Sequence, residues 1–265
     1  RHSFPTRRSS DLGRDQAEHL LGVEHLVHQR HGLGRVVAVV LADQRQLPGL
    51  ARRIGDAAEL VVDVLHGYQK VEPTSAREET VFNTARIRQR LGKTIRFQKN
   101  PSTAMRLGHA ALLVKDFNAC FDFYSKVLGF TPSDSYFAGV PENTIASFMH
   151  CGLGDKFTDH HTIALITSPD GRNRFDHTAF EVIDLDDLVQ GSEFLKSKHY
   201  VHSWGVGRHI QGSQLFDYWR DPFGNKIEHW TDGDLVNAQT PVGHSHITND
   251  ELSQWAPELK QEFFA

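Results

Sequence analysis

The amino-acid sequence predicts an α+β fold built from two βαβββ modules, on the basis of three observations. The first is a repeat: HAALLVKD begins at His109, and HTAFEVID begins at His177, 68 residues further along the chain. The second is that each copy is followed by a segment with apolar residues at three-to-four spacing, which is typical of an amphipathic helix. The third is that short runs bounded by turn residues follow each of these segments, as expected for strands.

The predicted elements come in the same order in both modules. In residues 106–170, the strand containing HAALLVKD precedes the helix FNACFDFYSKVLGF and the strands TPSDSYFAG, TIASFMHC and HHTIALIT. In residues 171–234, the strand containing HTAFEVID precedes the helix DDLVQGSEFLKSKH and the strands SWGVGRH, LFDYWRD and NKIEHWTD. Asp116 and Asp184 stand at the expected helix starts, where an acidic side chain can cap backbone N–H groups. We expect two sheets that curl toward each other around a cleft.

Composition limits the classes of function. The formal net charge of −4 at pH 7 gives no electrostatic reason for binding nucleic acid or an anionic membrane, and the longest apolar run, VVAVVLA, is too short to span a bilayer. Two cysteines, Cys120 and Cys151, do not make a disulfide framework and favour a reducing, cytoplasmic location. Seventeen histidines are unusual for 265 residues, although their number alone does not predict a metal site.

The repeat brings together three residues that could bind one metal ion. His109 and His177 hold equivalent positions on the two opening strands, and Glu228 lies on the last predicted strand. Because side chains alternate along a strand, Glu228 and the neighbouring His229 face opposite sides. Two histidines and one carboxylate form the 2-His-1-carboxylate set, which leaves open positions and suits non-haem Fe(II) chemistry with dioxygen. The alternative for any single histidine is a hydrogen-bonded core residue.

Longer motifs carry a resemblance to a known family. The matching segments are RLGHAALLVKDF, FYSKVLGF, HHTIAL, DHTAFEV and GRHIQGSQLFDYWRDPFGNKIEHWTDGD. From Arg106 to about Asp234 the chain resembles the C-terminal, metal-bearing domain of the type I extradiol ring-cleaving dioxygenases, in the vicinal oxygen chelate superfamily. The resemblance implies a glyoxalase-like fold and extradiol cleavage of a catechol by O2 with Fe(II) or, alternatively, Mn(II). It also implies a role in aromatic-compound degradation, and we expect a homo-oligomer.

The resemblance further implies roles for individual residues. His109, His177 and Glu228 match the metal ligands of the family. His209 and Tyr218 match the pair that hydrogen-bonds the bound substrate and oxygen, in which a cationic His209 would stabilise negative charge.

An acid–base histidine is implied as well, and two neighbouring residues compete for this role. His161 matches the family motif, a histidine followed by Ser or Thr and then by Ala two residues further on. His160 is favoured by the repeat, because the 68-residue offset pairs it with Glu228. We expect His161 to accept a proton from the catechol and later return it.

The first part of the chain is not explained by the resemblance. Residues 5–67 contain no Phe, Trp or Tyr, which supply the largest buried areas in a core, and the opening SFPTRRSSDL looks like the translation of a sequencing-adapter primer. We expect residues 1–67 to be non-native or truncated, with a weak helix over DQAEHLLGVEHLVHQR. Residues 68–105 are expected to be a connector or the remnant of an N-terminal domain, residues 106–240 the catalytic metal-binding domain, and residues 241–265 a tail.

Two other classes of function share this fold. A metal-dependent lyase or transferase of the glyoxalase or fosfomycin-resistance type would use the same ligands but has no evident need for the Gly-Arg-His and Tyr218 combination. A non-catalytic module that sequesters a ligand would not need the metal ligands. His150, His199 and His202 are expected at the surface or in loops. Phe180, Trp204 and Phe216 could contribute to the substrate pocket, but alternation places Phe180 opposite His177, and none of the three is assigned to the site.

Overall fold

Residues 52–55, 61–64, 76–248 and 252–264 are described by the structure, a computed structural model. The first two ranges are β1 (Arg52–Gly55) and β2 (Val61–Val64), which pair antiparallel as a separate two-stranded sheet. The weak helix expected over residues 15–30 lies outside the described residues.

Apart from the short β6 and the elements after β11, the remaining elements repeat the β-α-β-β-β order twice. The first module contains β3 (Arg106–Val114), α1 (Phe117–Asp122) extended by a π-helical turn (Phe123–Val127), β4 (Phe130–Phe137), β5 (Thr144–Cys151), the short β6 (Thr158–Asp159) and β7 (Ile163–Thr167). The second module contains β8 (Arg174–Glu181), α2 (Leu185–Ser197), β9 (Val201–Arg208), β10 (Leu215–Arg220) and β11 (Lys226–Thr231). They are followed by β12 (Leu235–Val236), β13 (Gly243–His246) and a 3-10 helix (Gln261–Phe264). The prediction of an α+β fold with paired βαβββ modules is confirmed.

One continuous sheet contains nine of these strands, in the order β13-β4-β5-β7-β3-β8-β11-β10-β9. The modules join where β3 and β8 pair antiparallel, with His109 opposite Ala179 and Ala111 opposite His177. The expectation of two separate sheets is therefore wrong. The opening strands of the two modules satisfy each other's backbone hydrogen bonds, which removes the edge that each module alone would expose.

Both long helical segments begin at the predicted aspartates. Asp116 Oδ1 accepts a hydrogen bond from the Ala119 N–H, and Asp184 Oδ1 accepts one from the Asp187 N–H. These bonds satisfy N–H groups that have no partner within the first helical turn. The core beneath α1 contains residues fully shielded from solvent: Leu112, Cys120, Tyr124, Met149 and Leu165. None of the helices that the structure describes is long and apolar enough to cross a membrane.

Residues 76–105, all of which are described, form no helix or strand and are anchored on the start of α2. Near one end, Arg77 forms an ion pair with Asp184, and the Thr80 N–H donates to the same carboxylate at 2.7 Å. Near the other end, the Thr103 N–H donates to Oδ2 of Asp187 at 3.1 Å. This segment therefore follows the surface of the second module.

Candidate metal centre

Two imidazole nitrogens and one carboxylate oxygen meet at the centre of the sheet. Nε2 of His109 lies 2.9 Å from Oε2 of Glu228, and Nε2 of His177 lies 3.3 Å from the same oxygen. Ligand atoms of the three residues all lie within 4.8 Å of one another. The strand register explains this convergence, because Ala179 on β8 stands opposite His109 on β3 and opposite Glu228 on β11. These side chains, and that of His177 two residues earlier, therefore share one face of the sheet.

The three side chains fit a divalent cation. Their relative exposures are 2% for His109, 8% for His177 and 0% for Glu228. Burial raises the pKa of Glu228, but the two neighbouring imidazoles outweigh burial and hold this pKa below its usual range. The other carboxylate oxygen, Oε1, is buried and accepts no hydrogen bond from the residues that the structure describes. An ionised, incompletely satisfied carboxylate that faces two Nε2 atoms is the donor set of a 2-His-1-carboxylate metal site.

Asp176 fixes the orientation of the His177 ring. Its Oδ2 lies 2.6 Å from Nδ1 of His177, and both of its carboxylate oxygens lie 3.2 Å from Nζ of the buried Lys226. Burial opposes ionisation of Asp176, but these two partners hold its pKa below the usual range. The His177 Nδ1–H therefore donates to the carboxylate and leaves the Nε2 lone pair for the metal site. Nδ1 of His109 is buried and, within the described ranges, has no such partner.

Sequence reasoning missed Asp176 because strict alternation puts it and His177 on opposite faces. The structure breaks this alternation with a bulge. On the β3 side, the pairing passes from Ala111–His177 to Leu112–Phe175, and Asp176 is skipped. Both Asp176 and His177 consequently line the same cavity. The available signal was an acidic residue directly before a predicted ligand histidine.

His161, rather than His160, faces the cavity beside the metal ligands. Its ring centroid lies 4.0 Å from that of His109. Burial, with the nearby His109 and His160 rings, lowers the pKa of His161 well below its ordinary value. The His160 ring turns away, with Nε2 2.6 Å from Oδ2 of Asp134 and Nδ1 3.1 Å from Nδ1 of His161. His160, which the repeat offset favours, thus lies behind His161, which the family motif favours.

His209 and Tyr218 form a hydrogen-bonded pair next to Glu228. Nε2 of His209 lies 3.1 Å from the Tyr218 hydroxyl and 3.8 Å from Oε1 of Glu228, while the His209 Nδ1–H donates to the Leu252 carbonyl at 2.8 Å. Burial lowers the pKa of His209, which favours the neutral imidazole over the cation expected from the sequence. Burial, with nearby carboxylates, raises the pKa of Tyr218 well above its ordinary value. The protonated phenol therefore donates to Nε2 of His209.

A cavity of about 280 Å³ lies against these side chains. The first module contributes Tyr136, Ala146, Phe148, Ala164 and Ile166, and the second module and C-terminal segment contribute Trp204, Gln211, Gln214, Leu252, Phe263 and Phe264. Trp204, which the sequence left out of the site, is one of the lining residues, whereas Phe180 and Phe216 are not. Most of the wall is apolar.

The other histidines expected at the surface behave differently from one another. His150 is buried, with a relative exposure of 4%, and its Nδ1 lies 2.7 Å from Oγ of Ser133, so the surface expectation is wrong for this residue. His199 is exposed. His202 is at the surface, with 30% of its side chain exposed, and lies 2.7 Å from the buried Asp217 carboxylate. None of the three lines the cavity.

The fold and the ligand set define a paired βαβββ domain with a 2-His-1-carboxylate site. Residues 106–229 match the family model of the Glyoxalase/Bleomycin resistance protein/Dioxygenase superfamily, which covers β3 through most of β11. This part of the chain is similar to members of that superfamily.

Comparisons with individual proteins agree with this similarity. The chain is 31% identical over 174 residues to metapyrocatechase 2 from Cupriavidus necator, an alignment that covers 65% of this chain and 51% of the relative. It is 29% identical over 151 residues to biphenyl-2,3-diol 1,2-dioxygenase from Paraburkholderia xenovorans, covering 56% of this chain and 47% of the relative. The chain therefore spans about half the length of these curated relatives.

A solved structure shares the fold. Homoprotocatechuate 2,3-dioxygenase from Arthrobacter globiformis superimposes with a TM-score of 0.64 at 17% sequence identity, covering 91% of this chain and 78% of the other. At this identity the likeness concerns the fold alone.

Proposed function

We propose that this chain carries the active site of an extradiol dioxygenase, which uses O2 to cleave a catechol ring next to its pair of hydroxyl groups. The observation that carries the proposal is a group of six polar side chains: His109, His177 and Glu228 as ligands, and His161, His209 and Tyr218 beside them. Five of them line one cavity, and the buried Glu228 lies against His109 and His177. The relatives named metapyrocatechase and biphenyl-2,3-diol 1,2-dioxygenase support it. The balanced reaction places both oxygen atoms in the product and takes its electrons from the ring.

His109 Nε2, His177 Nε2 and Glu228 Oε2 would hold the metal, which we propose is Fe(II), with Mn(II) as the alternative. When bound, such an ion supplies open positions at which the vicinal oxygens of a catechol and O2 can meet. The ligands themselves carry only one negative charge, because the imidazoles are neutral when they ligate. The site therefore favours an anionic substrate, such as a catechol that has lost one proton.

His161 is the proposed acceptor of that proton. Its pKa is lowered by burial and by neighbouring imidazoles, so the ring is neutral and able to accept a proton. It lies beside His109 and lines the cavity, which places it next to a substrate oxygen bound near the ligands. General acid–base catalysis of this kind contributes about 100- to 10,000-fold to a rate.

His209 and Tyr218 are the proposed partners of the substrate and oxygen atoms. Tyr218 keeps its proton and can donate a hydrogen bond, and His209 is held in place by the Leu252 carbonyl. The apolar walls exclude water and so strengthen the hydrogen bond that Tyr218 can donate to developing negative charge, while the neutral His209 holds the Tyr218 hydroxyl in position.

The experiment is direct. The chain is loaded anaerobically with Fe(II), mixed with 2,3-dihydroxybiphenyl or catechol, and exposed to air while absorbance is followed for a yellow ring-fission product. Glu228→Ala serves as the control and is expected to lose both metal and product formation. Full metal occupancy and turnover in Glu228→Ala would contradict the ligand assignment. Colourless anaerobic conversion of a thiol adduct, without ring fission, would indicate the lyase or transferase class instead.

We also propose that the chain forms a homo-oligomer and, because its two cysteines favour a reducing compartment, that it lies in the cytoplasm. Size-exclusion chromatography with light scattering measures the assembly, and a mass equal to one chain would contradict this proposal.

A further inference from the structure

A chain of three polar side chains runs from β4 to the cavity wall. Oδ2 of Asp134 lies 2.6 Å from Nε2 of His160, and Nδ1 of His160 lies 3.1 Å from Nδ1 of His161. The two histidines are buried, with relative exposures of 3% and 5%. Asp134 and His160 do not line the cavity, whereas His161 does.

The hydrogen-bond directions follow from the chemistry of the groups. An ionised carboxylate can only accept, so Nε2 of His160 must carry the proton that it shares with Asp134. When each imidazole carries one proton, Nδ1 of His160 is unprotonated and can only accept, so the His161 Nδ1–H donates to it. His161 is left with the lone pair on Nε2, and Nε2 makes no hydrogen bond to the described residues. This is the tautomer that can accept a proton from a molecule in the cavity.

The position of His160 is fixed from several directions. Its N–H donates to the Asp234 carbonyl at 3.0 Å, and its own carbonyl accepts from the Ser133 hydroxyl. Gly212 packs on the ring so closely that a Cβ there would lie 2.8 Å from imidazole atoms of His160. Backbone anchors on both sides and a close-packed ring leave His160 little freedom to rotate.

We propose that His160 and Asp134 are positioning residues that hold His161 in the Nδ1–H tautomer. This inference rests on the proposed function for its catalytic consequence, but the tautomer itself is a property of the metal-free chain. Removing His160 would leave His161 Nδ1 without its acceptor and would allow the ring to flip or to exchange tautomers.

The first test measures the tautomer without metal or substrate. The full chain is labelled with 15N-histidine and studied by two-bond 1H–15N correlation NMR at about pH 8, where free imidazole is neutral. The His161 signals are identified by their absence in His161→Phe. We expect a protonated Nδ1 and an unprotonated Nε2 in the wild type, and loss of this single pattern in His160→Leu. A protonated Nε2 in the wild type, or an unchanged His161 pattern in His160→Leu, would overturn the proposal. A failure of ring cleavage would not affect this result.

The second test separates positioning from a structural role. His160→Leu is expected to lower kcat by about 3- to 10-fold, the scale of one lost hydrogen bond, with KM unchanged because His160 does not reach the cavity. In a His161→Phe background the same substitution should have no further effect. An equal loss in both backgrounds would mean that His160 acts through the fold and would overturn the proposal.

A matched control exists for the second test. His202 also forms a short contact with a carboxylate, 2.7 Å from Asp217, but it lies outside the cavity. His202→Leu is expected to leave kcat unchanged per folded molecule and to leave the His161 signals as in the wild type. A loss of kcat equal to that of His160→Leu would show that removing any such histidine has this effect, and would overturn the positioning role.

Discussion

Replacing Asp176 by Asn tests whether the carboxylate behind His177 contributes to metal binding. Asp176 accepts hydrogen bonds from His177 Nδ1 at 2.6 Å and from Lys226 Nζ at 3.2 Å. Asn has nearly the same size, but it carries no charge and only one of its two terminal atoms can accept. The amide therefore cannot satisfy both donors as the carboxylate does, and the His177 ring loses a charged anchor.

The expected loss of metal affinity is roughly 10- to 100-fold, the range for removing the carboxylate behind a ligand histidine. It corresponds to about 1.4 to 2.7 kcal/mol of binding free energy. The contact between Asp176 and His177 is short, and the Asp176 side chain has only 16% of its surface exposed. Since short, charge-assisted hydrogen bonds shielded from water are the strong ones, we expect the upper part of this range.

The assay is anaerobic competition for Fe(II) or Mn(II) against a chromophoric chelator. Asp122→Asn is the control, because Asp122 is an exposed carboxylate at the end of α1, paired with Lys126 in the π-helical turn that follows. Asp176→Asn leaves the buried Lys226 without its partner, so the double variant with Lys226→Met separates a folding defect from a ligand effect. Affinity within about twofold of wild type in a folded Asp176→Asn protein would refute the reasoning.

Three further predictions concern catalysis, organisation and stability. His161→Phe should retain the metal and lower turnover by roughly 100- to 10,000-fold, whereas His160→Phe should lower turnover much less. Steady-state kinetics and metal analysis measure both effects. A larger loss in His160→Phe than in His161→Phe would mean that His160 is the base. Deleting residues 1–60 should leave metal content and specific activity per folded molecule unchanged, and a large loss of activity per bound iron would mean that this segment contributes to the site. Asp116→Ala removes a helix cap and should lower the free energy of unfolding by about 1 kcal/mol. Asp184→Ala removes a helix cap and also the contact with Arg77, so it should lower the free energy of unfolding by about 2 kcal/mol. Urea unfolding measures both values, and equal losses would contradict a stabilising contact from the segment around Arg77.

The sequence was sufficient for the features that depend on repetition and alternation. The 68-residue offset between His109 and His177 predicted the order of elements in both modules, and the structure has this order. Alternation along the last strand separated Glu228 from His229, and the structure places Glu228 beside the two histidines. Both predictions needed only the repeat and the alternation of side chains along a strand, because matching positions in two modules of the same fold occupy matching places in the sheet.

The features that depend on irregular backbone or on contacts between modules could not be predicted in this way. The bulge at Asp176 reverses the alternation that would place this residue away from the cavity. The sequence pattern fits two separate sheets as well as one sheet joined through β3 and β8. The local pattern of residues therefore does not predict that these two strands pair. The burial of His150 depends on Ser133, which is 17 residues away in the sequence. The position of His160 depends likewise on a distant residue, Asp134.

The most direct test of the central claim is an oxygen-labelling experiment on the product. The chain loaded with Fe(II) is supplied with 2,3-dihydroxybiphenyl under 18O2, and the product is analysed by mass spectrometry, with Glu228→Ala treated in parallel. We predict a ring-opened product that carries both atoms of one O2 molecule and is absent from the variant. A fully iron-loaded wild-type chain that leaves the ring intact, or a product with no label from O2, would contradict the claim that this site performs extradiol cleavage.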